Sequence, residues 1–329
     1  MAHASPWSEA AAELQREIPN DRVGSKAAWA KVLHKRVKAL SDYTGRPCLI
    51  YATACTVTGK QLPIGSLQID FSDKIGFYEI THSVGAVPID LLIHSPGGFP
   101  EATESIVESL RSKFPHIRAI VPSFAKSAAT MMAMAADEIL LDDDAELGPI
   151  DPQMQTANGF SPAEAIKEQF LKAGAEISAD PKKLTVWMPI LQQMGPSLLV
   201  QCDNAIQLSR NLVCQWLTRF MFSGDPEGAE KAEAVAGFLG QHSNFKSHAR
   251  CIRLKQLQDH NLGLKVVSTR TSEDLHKRIW DVYCALDVIF SSTGVFKIFF
   301  NSREDAHVRM QTTMAFVQGP PQHPQPRSV

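Results

Sequence analysis

Residues 91–98 read LLIHSPGG, an apolar strand that runs into a Pro-Gly-Gly turn. Residues 123–132 read SFAKSAATMM, in which Ser127 precedes a helix of small residues, and residues 146–152 read ELGPIDP. A Gly-Gly turn offers backbone N–H groups, and Ser127 offers a hydroxyl at a helix N-terminus. Together they would supply the nucleophile and the oxyanion hole that acyl transfer needs.

The segments around this stretch alternate between strand and helix patterns. The pattern predicts strands at 89–93, 117–121 and 138–141, separated by helices at 100–114 and 127–136. Such an alternation indicates βαβ units in a parallel sheet, and continuously apolar strands are typical of strands covered on both faces. The turns that follow parallel strands share one edge of the sheet, so Gly97, Gly98 and Ser127 are expected to meet there.

Each of these features also has an ordinary structural interpretation. A Gly-Gly turn is common between a strand and a helix, and a serine is a preferred N-cap residue. Ser123 and Lys126 form a Ser-x-x-Lys pattern like that of penicillin-recognising enzymes, but the chain has no Lys-Thr-Gly or Ser-Asp-Asn partner for it. The interpretation of Ser127 as a nucleophile is strengthened because the Gly-Gly turn precedes it by one βα unit.

Composition describes a soluble globular protein. The chain has 329 residues, of which 44% are hydrophobic and 21% charged, and its formal net charge is −2. This balance argues against a nucleic-acid surface or a polybasic membrane patch. No apolar stretch reaches the roughly 18–20 residues that span a bilayer, and the N-terminus lacks a signal-peptide pattern. We therefore expect no transmembrane segment and no nucleic-acid partner, with membrane association peripheral at most.

No metal or cofactor is predicted. The six cysteines form no Cys-x-x-Cys pair, which indicates neither a zinc site nor a thioredoxin-type motif, and scattered thiols fit a reducing cytoplasm. His242 and His248 have no acidic or cysteine partner at ligand spacing, and the chain has no His-Glu-x-x-His, Gly-x-Gly-x-x-Gly or Walker motif.

The general base is left open by the residues alone. A serine nucleophile needs a histidine, or a lysine whose pKa burial has lowered, within reach of its hydroxyl. The candidates downstream of Ser127 are four lysines and one histidine: Lys167, Lys172, Lys182, Lys183 and His248.

At these motifs the chain resembles the serine dehydrogenase proteinase family, prokaryotic serine peptidases related to signal peptide peptidase A within the Clp protease/crotonase fold. Four motifs occur in the family's order: PIDLLIHSPGG at 88–98, AKSAAT at 125–130, AADEI at 135–139 and LGPIDPQ at 147–153. A fainter match covers SHARCI at 247–252 and LGLKV at 262–266, where the family often has Thr-His-Asp-Tyr-Pro-Ile before a Gly-Leu-x-Val strand.

The resemblance implies an α/β fold, a spiral of βαβ units of Clp protease/crotonase type with helical additions at both ends. It implies self-association and hydrolysis of peptide bonds in peptides or unfolded proteins. Ser127 would be the nucleophile, and the N–H groups of Gly98 or Gly97 and of Ala128 would form the oxyanion hole. A lysine base is also implied, for which Lys183, or Lys182, stands at a comparable place.

One departure from the family keeps other functions open. Some members carry a lysine inside the long helix predicted here at 196–222, where this chain has Asn204. An oligomeric scaffold of the same fold that binds extended peptides without cutting them is therefore an alternative. A crotonase-like enzyme acting on acyl-CoA, which would use the same two N–H donors, is a further alternative without a recognisable CoA site.

The expected organisation has four parts, and the expected location is the cytoplasm, with peripheral association at the membrane left open. The parts are a helical N-terminal extension at 1–45, a peptidase domain at 46–268, a helical C-terminal extension at 269–317 and a disordered tail at 318–329.

Overall fold

A computed structural model describes residues 5–17, 26–63, 65–156, 159–260 and 262–311 of the chain. The predicted tail at 318–329 lies outside the described residues. The helices are α1 Pro6–Glu17, α2 Lys26–Thr44, α3 Asp73–Thr81, α4 Pro100–Lys113, α5 Ala128–Met134, α6 Ala163–Ala179, α7 Leu184–Leu191, α8 Leu198–Arg219, α9 Gly228–Gly240, α10 His242–Phe245, α11 Leu254–Asp259 and α12 Glu273–Ser292. The strands are β1 Cys48–Thr53, β2 Ile89–His94, β3 Ile117–Val121, β4 Phe124–Ala125, β5 Glu138–Leu141, β6 Glu146–Leu147, β7 Gln153–Thr156, β8 Gly159–Pro162, β9 Val266–Ser268, β10 Val295–Asn301 and β11 Ala306–Met310.

A seven-stranded, mostly parallel sheet forms the centre of the fold. Its strand order is β11-β10-β1-β2-β3-β5-β9, and β1, β2, β3, β5 and β9 run parallel to one another. Every residue of β1 and β2 is buried, as expected for parallel strands with both faces covered. The predicted α/β architecture with βαβ units is confirmed.

Two hydrophobic cores cover the two faces of this sheet. Alternate residues of β1 point to opposite faces, so Leu49 and Tyr51 belong to one core, whereas Ile50 belongs to the other. Helices α3, α4, α5, α8 and α9 contribute to the first core. Helices α1, α2 and α12 contribute to the second. The helices at the two ends of the chain therefore form the layer that covers one face of the sheet.

The C-terminal region contains strands as well as the predicted helix. The sequence gives no clear strand signal at 295–300, yet β10 pairs antiparallel with β1 and with β11. Ile298, Phe299 and Phe300 are all fully buried because β10 lies inside the sheet between two neighbours. An interior strand has no solvent face and so lacks the polar–apolar alternation that marks a half-buried strand. The division into domains at 45/46 and 268/269 stays a prediction.

A small helical unit stands beside the first core. The β7–β8 hairpin leads into α6, which packs against α7 and α8 around a small apolar cluster of Ala163, Ile166 and Cys202. Helix α6 begins at Ala163, because residues 159–162 pair in the hairpin.

His94, the last residue of β2, is buried without a full set of hydrogen bonds. Its ring packs against Phe124 and Tyr283 with centroid distances of 4.7 and 5.1 Å, and its Nε2 is 3.6 Å from Cys55 Sγ. Its Nδ1 has no hydrogen-bond partner among the described residues. Burial lowers the pKa of His94 from 6.5 to about 4, because the charged imidazolium would lose its hydration.

Acid should destabilise the fold through His94. Between its unfolded pKa of 6.5 and its folded pKa of about 4, only the unfolded chain binds the proton, so stability falls as pH falls through this window. This linkage lowers the free energy of unfolding by about 2 kcal/mol between pH 7 and pH 5. We expect His94→Leu to lose that part of the pH dependence in urea unfolding measured at both pH values. Ile93→Val, at the adjacent buried site, is the control and should keep it; an unchanged slope in His94→Leu would contradict the prediction.

Candidate active site

Ser127 lies in a strained turn between β4 and α5. Its φ of 50° and ψ of −122° are unusual for a residue with a side chain, and it is partly exposed. Its hydroxyl makes no capping hydrogen bond to α5, although Ser127 occupies the N-cap position. The interpretation as an ordinary N-cap is therefore not supported. Strain of about 1–3 kcal/mol at such a residue is typical of functional sites, where the surroundings enforce it.

The Gly97 bend packs directly on this turn. A Cβ placed on Gly97 would lie 2.5 Å from the carbonyl oxygen of Lys126 and 2.8 Å from the Cβ of Ser127, and Gly97 has a φ of +96°. The backbones are also joined, because the Lys126 N–H donates to the Ser95 carbonyl at 3.0 Å. The two loops that the sequence places about thirty residues apart are thus in contact.

Two backbone N–H groups remain free beside Ser127. Ile69 and the bend exchange two hydrogen bonds, from the Ile69 N–H to the Gly97 carbonyl at 2.8 Å and from the Phe99 N–H to the Ile69 carbonyl at 2.9 Å. The Gly98 N–H points away from Ile69 in this parallel bridge. The Ala128 N–H opens α5 and has no intrahelical acceptor. Neither group has an acceptor in the described part of the chain.

Gly97 itself is not free to bind an oxyanion. Its N–H donates to the Ser95 hydroxyl at 3.2 Å. Of the two glycines that the sequence leaves open, the geometry therefore favours Gly98 as the donor beside Ala128. A side chain at Gly98 is also excluded, since its Cβ would lie 2.3 Å from the backbone nitrogen and oxygen of Ile69.

The predicted lysine bases lie in the small helical unit. Lys183 closes the 3₁₀ turn Pro181–Lys183, its side chain is 47% exposed, and its Nζ lies 3.4 Å from Glu176 Oε2. Lys167 pairs with Asp203, and Lys172 and Lys182 are exposed. No described contact joins any of these lysines to Ser127, and the role of Lys183 as the base stays a prediction.

A buried carboxylate holds two histidines near the nucleophile turn. Asp151 is 2% exposed; its Oδ1 is 2.8 Å from the Nδ1 of His248, and its Oδ2 is 2.9 Å from the Nδ1 of His242. A carboxylate oxygen accepts, so the Nδ1 of each ring is the donor in these contacts and each Nε2 is turned away from Asp151. A histidine oriented in this way by a carboxylate is the usual partner of a serine nucleophile.

The segment that carries Asp151 runs along the Ser127 turn. A Cβ on Gly148 would lie 2.9 Å from the side chain of Lys126, and the Gly148 N–H donates to Thr130 Oγ1 at 2.9 Å. Leu147 and Ile252 exchange backbone hydrogen bonds of 2.9 and 3.0 Å, which bring the residues around His248 to the same place. Asp151 and His248 therefore lie on two segments that pair with each other, and the first of these segments contacts Lys126, next to Ser127.

Asp151 was missed by the sequence reasoning, although both signals were present. LGPIDPQ and SHARCI are separate motifs of the resemblance, and the pairing of Leu147 with Ile252 in the structure is what joins Asp151 to His248. The residues that the structure describes include no three His, Cys, Asp or Glu side chains arranged to hold a metal ion. Besides the two rings, Asp151 Oδ2 accepts a hydrogen bond from Gln153 Nε2 at 3.0 Å.

The competing Ser-x-x-Lys pattern is not supported. Ser123 and Lys126 lie on either side of the short strand β4 and not on one helical turn, as that mechanism requires. Lys126 Nζ is occupied by Glu146 Oε2 at 2.8 Å and by the Leu147 carbonyl at 3.2 Å.

A family model described as ClpP-like SDH-type serine proteinase matches residues 62–277, about two thirds of the chain. The chain belongs to this family. The resemblance found in the sequence is confirmed, and with it the Clp-type fold. The matched region includes Ser127, Gly98, Ala128, Asp151 and both histidines, and it ends before β10 and β11.

Two curated relatives come from Methanocaldococcus jannaschii. The uncharacterized protein MJ0137 is 42% identical over 152 residues, which cover 46% of this chain and 45% of the relative. The uncharacterized protein MJ1495 is 40% identical over 92 residues, which cover 28% of this chain and 30% of the relative. The match to this chain therefore spans less than half the length of either relative.

Among solved structures, ClpP1 from Listeria monocytogenes is similar at 12% identity with a TM-score of 0.34, and the match covers 62% of this chain and 89% of that one. A point mutant of the same ClpP1 matches at 14% identity with a TM-score of 0.30, over 63% of this chain and 90% of that one. In the described residues of this SDH-type proteinase, no helix has the length and apolar character needed to cross a membrane.

The contact between the two loops should not tolerate a methyl group. Gly97→Ala places a Cβ against Lys126 and Ser127 at a positive φ, so we expect the free energy of unfolding to fall by about 2 kcal/mol or more. Urea unfolding checks this. Gly85→Ala is the control, because its Cβ would meet nothing within 4 Å. Equal stabilities of the two variants would show that the loops are not in contact.

Proposed function

We propose that the protein is a serine endopeptidase that cleaves peptides or unfolded protein. Ser127 is the nucleophile, the N–H groups of Gly98 and Ala128 form the oxyanion hole, and His248, oriented by Asp151, is the base. The observation that carries the proposal is the strained Ser127 turn against the Gly97 bend, with two N–H groups beside it that have no acceptor among the described residues. Membership of a ClpP-like serine proteinase family supports the same chemistry.

The proposed reaction follows the order of acyl transfer. Ser127 Oγ attacks the scissile carbonyl carbon while His248 Nε2 takes the hydroxyl proton. The carbonyl oxygen becomes an oxyanion that accepts hydrogen bonds from Gly98 and Ala128. His248 then gives the proton to the leaving amine, an acyl group stays on Ser127, and water, activated in the same way, releases it as the acid.

An extended peptide is the substrate that fits this edge. Ile69 occupies one side of the bend, so Gly98 offers its N–H on the other side, and Gly98 is partly exposed. A peptide that adds to this edge as a strand would gain a main-chain hydrogen bond and would carry its carbonyl toward Ser127. Folded proteins seldom expose such a segment, which favours unfolded chains and peptides.

His248 is favoured over His242 and over Lys183 as the base. The His248 side chain is 28% exposed against 15% for His242. The His242 backbone N–H is also held by Glu164 Oε2 at 2.9 Å. Lys183 is ion-paired in the helical unit, whereas His248 lies on a segment paired beside the nucleophile turn.

Substitution of the proposed catalytic residues should separate these candidates. We expect Ser127→Ala to abolish labelling by a fluorophosphonate probe and to lower casein or peptide cleavage by about 10³-fold or more, and His248→Gln to lower cleavage by a similar factor. Lys183→Met should cleave like the wild type. His82→Gln, at an exposed site on the surface, is the control for histidine loss.

The results that contradict this proposal are distinct. Loss of cleavage in Lys183→Met with activity kept in His248→Gln would restore the lysine base. Peptide binding without turnover in both wild type and Ser127→Ala would identify a binding scaffold. Binding of an acyl-CoA thioester in place of peptide would identify a crotonase-like enzyme.

We also propose that copies of this chain associate through the small helical unit. In α7, Val186 is 71% exposed and Ile190 is 41% exposed, and Leu171 on α6 is 69% exposed. A groove of about 590 Å³ runs between the β7–β8 hairpin and helices α6 and α8. Exposed apolar side chains on one helical unit favour a protein interface, and a second copy would cover them.

Charge placed on this surface should lower the oligomeric state. The wild type is expected at a multiple of 36.2 kDa in light scattering, and Leu171→Glu/Val186→Glu should shift toward the single-chain mass. Val87→Glu, at an exposed apolar site elsewhere, is the control and should keep the wild-type mass. A wild type of single-chain mass would contradict the proposal.

We propose further that the protein is cytoplasmic and prokaryotic. We also propose that it is related to signal peptide peptidase A and has no nucleic-acid partner. All six cysteines are free, which is consistent with a reducing compartment.

A further inference from the structure

Lys297 on β10 is a fully buried lysine in a strand outside the region that the family model matches. Its Nζ donates to Asp73 Oδ1 at 2.8 Å, to Asp73 Oδ2 at 2.9 Å and to the carbonyl oxygen of Gln68 at 2.5 Å. Asp70 lies further off, with Oδ2 at 3.7 Å. The ammonium group therefore holds both ends of the segment from Gln68 to Asp73.

Asp73 is the other half of this buried pair. It is fully buried at the start of α3, and it accepts a hydrogen bond from the Tyr51 hydroxyl at 2.8 Å. Burial raises the pKa of Tyr51 well above its usual range, so the phenol keeps the proton that it donates. Burial also raises the pKa of Asp73, and the Lys297 ammonium opposes that rise. Burying two charges is costly, and a well-packed apolar pair would often be as stable.

The segment that Lys297 holds is the one that pairs with the oxyanion bend. Ile69 follows Gln68 directly, and its two hydrogen bonds go to Gly97 and Phe99, on either side of Gly98. The Asp70 N–H donates to Asp73 Oδ2 at 3.3 Å, so the residues next to Ile69 are anchored before and after it. A shift of the Gln68 carbonyl would therefore move Ile69 and, with it, the Gly98 N–H.

We propose that Lys297 is a positioning residue, which fixes the Gly98 N–H for the oxyanion by holding Gln68 and Asp73. The inference rests on the proposed function, since it assigns a role in the same site. It means that the C-terminal strand β10 completes a site whose reacting groups all lie within residues 62–277.

The test removes both charges at once. Lys297→Met/Asp73→Asn removes both fully buried charges and leaves Asp70 and Arg309, which are partly exposed and opposite in sign, and the Tyr51 hydroxyl keeps an acceptor. We expect kcat for peptide cleavage to fall about 10- to 100-fold with KM changed less than about threefold, because a misplaced oxyanion donor weakens only the transition state. The affinity for a peptide boronate should fall by the factor lost in kcat/KM, whereas binding of an uncleaved peptide in the Ser127→Ala background should be unchanged.

A second buried ion pair in the same sheet is the matched control. Asp90 is fully buried on β2, and Arg118 on β3 contacts both of its oxygens at 2.8 and 2.9 Å, at the end of the strands away from Gly98. Arg118→Met/Asp90→Asn removes the same kinds of charge and should keep kcat and the boronate affinity. An equal loss of kcat in both double variants, with boronate affinity kept per active molecule, would overturn the proposal.

Hydrogen exchange tests whether the Lys297–Asp73 pair holds the bend, and the measurement does not require an active enzyme. We expect the amides of Ile69 and Phe99 to exchange about tenfold faster or more in Lys297→Met/Asp73→Asn than in the wild type and in the control. Unchanged exchange overturns the positioning role even if the enzyme is active. A wild type without peptidase activity would overturn the proposed function instead, and exchange alone would then decide whether Lys297 holds the bend.

If the double variant does not fold, a milder variant tests the same proposal. Tyr51→Phe removes one oxygen atom and leaves the Lys297–Asp73 pair. We expect about a threefold to tenfold fall in kcat and faster exchange at Phe99. Wild-type values for both would count against the network.

Discussion

The lack of a side chain at Gly97 is the constraint on which the site depends. Because the backbone of Gly97 lies against the Lys126 carbonyl and the Cβ of Ser127, the bend and the nucleophile turn act as one packed unit. That contact makes the unusual φ of Ser127 tolerable, since the turn cannot relax without moving the bend. It also brings the N–H groups of Gly98 and Ala128 to the two residues in contact, Gly97 and Ser127.

The charges around this unit are arranged so that each buried one has a partner. Asp151 is buried between two imidazoles, and Asp73 is buried between Tyr51 and Lys297. Both carboxylates lie close to a loop of the site, yet neither is exposed to solvent. A buried carboxylate with fixed partners orients those partners strongly, because the interior screens charge weakly. The candidate site thus combines a partly exposed Ser127 with buried, charged residues that support it.

The N-terminal and C-terminal segments cover one face of the sheet and also supply a strand to it. Helices α1, α2 and α12 close one face of the sheet, and β10 inserts beside β1, so that the buried cation of Lys297 reaches the segment that holds the bend. The family model ends before β10, although this strand forms part of the central sheet.

The amino-acid sequence by itself determined the parallel strands around LLIHSPGG, the helix that follows Ser127 and the family, because these depend on local periodicity and on short motifs. Strand β10, Val295–Asn301, escaped the same reasoning, because Lys297 interrupts its apolar run and leaves neither a continuous nor an alternating pattern. Only the tertiary structure decided that Asp151 meets His248, 97 residues later, and that Lys297 meets Asp73, 224 residues earlier. Such pairs form when separate segments pack together, and no local pattern encodes which buried charges will become neighbours.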